Sequence, residues 1–98
     1  MKTFEEVIKE STPSLVVFIH AGQQNSVDIK YNIAELNKKY GKKINILRVD
    51  SSYDQRVAKK YSLSNFPTYV LIKEGEELMR ESGTKTVTEL SEMIERAF

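Results

Sequence analysis

The sequence predicts an α/β domain, with a mixed sheet of about four strands and helices on both faces. Three observations predict it. Leu15-Val16-Val17-Phe18-Ile19 is a continuous apolar run, the pattern of a strand buried on both sides. A polar turn, His20 to Ser26, separates it from Ile29, Ile33, Leu36 and Tyr40, whose spacing marks one face of a helix. Ile44, Ile46, Leu47 and Val49 then make a second strand, residues 44–50. Two strands joined through a helix are parallel with a right-handed crossover. In open α/β sheets ligands meet the chain at such strand ends, so the turn at residues 20–26 is the first candidate site.

The remaining elements follow in order. Thr3 with Glu6 fits a capping box, and Phe4, Val7 and Ile8 give one apolar face, so residues 3–10 read as a short helix. Pro13 stops it. Gly41 follows Tyr40 where a left-handed helix end falls. Ser52 and Gln55 read as a second capping box, opening a helix through Val57, Ala58 and Tyr61. Thr68 to Lys73 is another apolar run, and Glu74-Gly75 is a tight turn into residues 76–82. That last strand is heavily charged, as an exposed edge should be. Thr86 with Glu89 is a third capping box, and Val87, Leu90, Ile94 and Ala97 line the closing helix.

Composition bounds the function. The 98 residues make one domain, 1–98, able to bury roughly two-thirds of its unfolded surface. Fifteen basic and fourteen acidic residues nearly cancel, which argues against a nucleic-acid or anionic-membrane partner. Lys38-Lys39 and Lys42-Lys43 read as solvated partners of a helix end. There is no cysteine, which excludes disulfides, thiolate catalysis and cysteine-based metal sites. With one histidine, no metal site or cofactor is expected. The N-terminus carries acids and lacks a long apolar stretch, and no segment approaches the ~20 apolar residues of a membrane span. The cytosol is the expected compartment.

Several short pieces, in this order and spacing, resemble the thioredoxin family. They are Val16-Val17-Phe18, Val49-Asp50, Ala58-Lys59-Lys60-Tyr61, Asn65-Phe66-Pro67-Thr68, Lys73-Glu74-Gly75-Glu76, and Gly83 before the final helix. The resemblance covers nearly the whole chain. It implies a thioredoxin fold and a cis peptide before Pro67, facing the turn at residues 22–26. The family's first strand has no counterpart before Thr3, so strand 44–50 should be an apolar edge. Such an edge is a pairing liability, and a weak homodimer through it is one expectation.

The departures from the family bear on function. Its Trp-Cys-Gly-Pro-Cys motif falls on Gly22, Gln23, Gln24, Asn25 and Ser26. Disulfide exchange needs an attacking thiolate and a resolving thiol; an amide at Gln23 and a hydroxyl at Ser26 supply neither. The family's buried aspartate falls on Val17, its nearby lysine on Ile46, and its helix proline on Tyr31, so the helix should be straighter. Motif, acid and base are absent together. In the family, the backbone before the cis proline pairs with an extended substrate peptide, an interaction that needs no sulfur. The implied role is therefore protein or peptide binding at Gly22, Gln23, Phe66 and Pro67, without redox chemistry.

Rival readings exist. One is a thiol–disulfide oxidoreductase whose cysteines at positions 23 and 26 have been exchanged; Ser for Cys is a usual laboratory change, Gln for Cys is not. Another is a Ser26–His20 hydrolase, which needs Asp28 or Asp50 to orient the histidine. The bland reading makes Asn25 and Ser26 helix caps and His20 a surface residue. A third is a structural or assembly subunit using the 44–50 edge. Tyr53, Tyr61 and Tyr69 read as packing residues.

Overall fold

In the computed structural model, residues 3–20, 26–52 and 55–98 are described, residues 26 and 27 by backbone alone. The first apolar run becomes β1 (Ser14–Ile19), buried along its whole length. Its side chains alternate between two cores. Leu15, Val17 and Ile19 face one cluster; Val16 and Phe18 face the other. A strand covered on both sides must be apolar throughout, which is why the run is continuous.

Each core is closed by helices. On one side lie α2 (Ser26–Tyr40), through Ile29 and Leu36, and α4 (Val87–Ala97), through Leu90, Met93 and Ile94. On the other, Phe4 and Ile8 of α1 (Phe4–Ile8) and Val57 of α3 (Gln55–Lys60) pack with Phe18. The Phe18 ring centroid lies 5.2 Å from Tyr61 and 6.3 Å from Phe4. Tyr61 and Tyr69 are thus packing residues; Tyr53 lies outside the described residues.

Four strands form one sheet in the order β2 (Asn45–Asp50), β1, β3 (Thr68–Lys73), β4 (Glu76–Ser82). β1 and β2 are parallel; the β1–β3 and β3–β4 pairs are antiparallel. Among the described residues, β2 and β4 are the outer strands. The hairpin turn has positive φ at both Glu74 (54°) and Gly75 (80°), the two-residue geometry that suits the twist of a hairpin.

Two boundaries differ from the sequence reading. α1 ends at Ile8 rather than at residue 10. The Ile8 carbonyl accepts the Gly75 amide at 2.8 Å and the Glu10 carbonyl accepts the Glu74 amide at 3.1 Å, so the hairpin takes acceptors that a longer helix would use. β2 starts at Asn45, after a 3₁₀ turn at Gly41–Lys43 that leaves Ile44 buried. The capping box read at Ser52 and Gln55 encloses residues 53 and 54, which lie outside the described residues; the Ser52 hydroxyl donates to the Asp50 carboxylate. The boxes at Thr3–Glu6 and Thr86–Glu89 both form. α2 runs unbroken through Tyr31, the position of the family's helix proline.

Candidate functional site

The carboxyl end of the sheet gathers His20 after β1, Asp50 to Ser52 after β2, and Phe66-Pro67 before β3. The Ser51 amide and hydroxyl both donate to the Ile19 carbonyl, at 2.8 and 3.0 Å, tying the ends of β1 and β2 together. The Asp50 carboxylate accepts from the Ser52 amide at 2.9 Å and from its hydroxyl. Those bonds hold its pKa below the usual carboxylate range, and the nearby His20 and Arg48 add to the effect.

The loop before β3 is anchored on two sides. The Phe66–Pro67 peptide bond is cis. The Pro67 carbonyl accepts the Gly83 amide at 2.8 Å, across to the end of β4. Gly83 has φ +94°, a backbone conformation that side-chain-bearing residues rarely adopt. The Thr68 hydroxyl donates to the Asn65 carbonyl at 2.5 Å and lies 3.2 Å from the Ser82 hydroxyl. Phe66 is half-buried and packs onto the α1/α3-side core, while its ring sits 5.3 Å from the exposed His20 imidazole. Phe66 and His20 form one lip of this end of the sheet.

Beneath the lip the core is apolar. Val17 is fully buried, and Ile46 is half-buried against the same cluster. Directly across from Val17 is Tyr69, also buried. Burial pushes its hydroxyl pKa up, partly countered by a hydrogen bond to Asn32. The Asn32 amide also donates to the Lys85 carbonyl at 2.8 Å. This Asn32–Tyr69 pair was not singled out from the sequence. Its signal is a polar residue at position 32 inside the buried stripe that runs from Ile29 to Leu36.

The structure brings His20, Phe66 and Pro67 together. Gly22, Gln23, Gln24 and Asn25 lie outside the described residues, and Ser26 is placed only as the first residue of α2. The hydrolase reading turns on the Ser26 side chain, which lies outside the description. Asp28 is exposed, and Asp50 is bonded to Ser52. Among the described residues no group of three metal-ligating side chains occurs, and no helix is long and apolar enough to cross a membrane.

Comparison with known proteins agrees with the architecture. The family profile described as Thioredoxin matches residues 1–96. The chain is 25% identical to "Thioredoxin Y, chloroplastic" of Oryza sativa subsp. japonica over 97% of its own length and 57% of the rice protein's. It is 28% identical to "Thioredoxin C-2" of Corynebacterium nephridii, covering 93% of this chain and 84% of that one. Over the Bacillus subtilis thioredoxin the match spans 62% of the relative, so the chain covers under two-thirds of some relatives it resembles. Among solved structures, that of Fasciola hepatica thioredoxin superposes with a TM-score of 0.81 at 29% identity, covering 92% of this chain and 85% of the other. With the strand order, the Phe66–Pro67 loop and a profile match over nearly every residue in agreement, the chain belongs to the thioredoxin family.

Proposed function

We propose that this domain binds an extended polypeptide non-covalently and does not exchange disulfides. The bound segment lies between the turn at residues 22–26 and the Phe66–Pro67 loop, with Gly22, Gln23, Phe66 and Pro67 as contacts. One observation carries the reading. The loop before β3 is anchored by bonds from Gly83 and Thr68, while the chain has no thiol and the core beneath is closed by Val17. A rigid backbone lip is what main-chain recognition of a strand-like peptide requires, because ordering costs are met before binding. A thiolate reaction requires groups this chain lacks. The partner is a protein or extended peptide rather than nucleic acid or membrane, consistent with the near-balanced charge. No cofactor takes part, and the working compartment is the cytosol.

Selection of cysteine-free peptides from a display library against the wild-type domain tests this. His20→Ala and Phe66→Ala should each weaken the selected peptides about tenfold, roughly 1.4 kcal/mol. His20 is exposed, so its variant separates binding from folding. Unchanged affinity in the folded His20→Ala and Phe66→Ala variants would remove the groove reading.

A further inference from the structure

Among the described residues, the two outer strands of the sheet are built to opposite rules. β4 carries Glu76, Glu77, Arg80 and Glu81, and charges of this kind discourage strand pairing. β2 carries Ile46, Leu47 and Val49, with Arg48 its one basic residue. Its hydrogen bonds fix which groups look outward. The Asn45 amide donates to the Pro13 carbonyl at 2.9 Å and the Ser51 amide to Ile19 at 2.8 Å, both on the β1 side. In a parallel pair these groups alternate, so the odd-numbered amides of β2 turn inward and those of Ile46, Arg48 and Asp50 turn to the open side. The faces are fixed too. Leu47 and Val49 pack on the α1/α3 side, whereas Ile46 and Arg48 register with Leu15 and Val17 of the other face. On the α1/α3 side, a cleft of about 510 Å³ lies against the strand, lined by Phe4, Val49 and Val57 together with the polar Thr3, Glu5, Arg56 and Lys60.

We propose that β2 pairs antiparallel with β2 of a second copy of this chain, about a twofold axis that passes through Arg48 perpendicular to the sheet. Such an axis keeps each face of the sheet on its own side, so only residues of the same parity can oppose one another. Two central registers satisfy this, one centred on Leu47 and one on Arg48. Centring on Leu47 sets polar Asn45 opposite Val49 at the cleft. Centring on Arg48 sets Leu47 opposite Val49 of the second copy, so each Leu47 meets an apolar side chain on the α1/α3 side. It also places Arg48 diagonal to Asp50 of the second copy, within reach of a long side chain. Two symmetric Arg48–Asp50 diagonals counter the single Arg48–Arg48 repulsion. Apolar match and charge match select the same register. This pairing is independent of the peptide groove at the strand ends.

The absence of native cysteine makes the register directly readable. In the Arg48 register the two copies of residue 48 form a hydrogen-bonded pair about 5.5 Å apart at Cα, within disulfide range. The two copies of residue 46 are offset by four residues, about 13 Å, out of range. Under mild oxidation Arg48→Cys should cross-link at least tenfold faster than Ile46→Cys and than Glu76→Cys on the opposite edge. By sedimentation equilibrium the wild type should approach twice its monomer mass as concentration rises. Leu47→Lys should weaken that association at least tenfold while its circular dichroism stays that of the folded chain. Arg48→Pro, which removes an outward amide and both Arg48–Asp50 diagonals but no bond to β1, should do the same. A wild type that stays monomeric at millimolar concentration, or equal cross-linking at positions 46, 48 and 76, overturns the proposal; fastest cross-linking from Leu47→Cys overturns the register.

Discussion

Two neighbouring regions at the carboxyl end of the sheet differ in kind. Beneath the lip, Val17 and Ile46 fill with apolar packing the positions where the family places an acid and a base. Beside it, the loop before β3 is held by polar bonds, from Gly83 to Pro67 and from Thr68 to Asn65. A charge in a low-dielectric core is costly unless a reaction uses it, so a chain without thiols is more stable with valine there. A backbone lip fixed by hydrogen bonds costs little and, in the proposed peptide-binding role, serves recognition whether or not sulfur is present. The contrast separates what catalysis needs from what binding needs.

The largest break in that contrast is Val17→Asp, which returns a carboxylate to a fully buried site. It should cost about 3–5 kcal/mol at neutral pH, read from urea midpoints. Burial raises the new carboxyl's pKa in the folded state, so the cost should be smallest in acid and grow as pH rises through neutrality. A loss that does not vary with pH would show that the side chain had escaped to water. Insulin reduction by dithiothreitol should stay at the uncatalysed rate in this variant, since an acid alone attacks no disulfide.

Thr68→Val attacks the other region. It removes the hydroxyl bonded to Asn65 and facing Ser82 while keeping the side chain's shape. About 1–2 kcal/mol should be lost. Amide exchange should quicken at residues 65–68 before it does in β1. Exchange unaltered in that loop would mean that the hydroxyl does not hold it.

Tyr69→Phe is a smaller probe, placed between the two regions. It should cost about 1 kcal/mol by deleting the bond to Asn32. The raised pKa of Tyr69 gives a stabilisation that is complete below the ordinary tyrosine value and is lost as pH climbs through the folded one. The wild type should therefore weaken more steeply in strong alkali than Tyr69→Phe. Parallel alkaline curves would place the effect elsewhere.

The smallest expected effect is on the acid side. Asp50 and Glu89 are both held below the ordinary carboxylate range, Asp50 by Ser52 and Glu89 by the Thr86 backbone amide and hydroxyl. Depressed values give a stabilisation present above the unfolded pKa and lost as pH falls through the folded one. Glu89→Gln should flatten the acid limb of the stability curve slightly, and an unchanged limb would assign it to other carboxylates.

Most of the fold was legible because its signals are local. The unbroken apolar run at Leu15–Ile19, the helical stripe from Ile29 to Leu36 and the two capping boxes at Thr3 and Thr86 each specify one element without help from the rest. The misread end of α1 depends on a distant partner. It stops where Gly75 takes the Ile8 carbonyl. At the carboxyl end of the sheet, the burial of Val17 and the cis bond before Pro67 were legible in the sequence. Asn32 and Tyr69 were not foreseen as a pair, because 37 positions of chain separate residues that only the packing of α2 on β3 brings together.

The direct test of a lip that binds without sulfur is an amide-shift titration of the wild-type domain with a selected cysteine-free peptide, run with and without dithiothreitol. Binding at the groove should perturb the amides of His20, Phe66 and Thr68 most, to the same extent in both conditions. A peptide that binds while leaving those amides unmoved, or whose binding depends on the reductant, would contradict it.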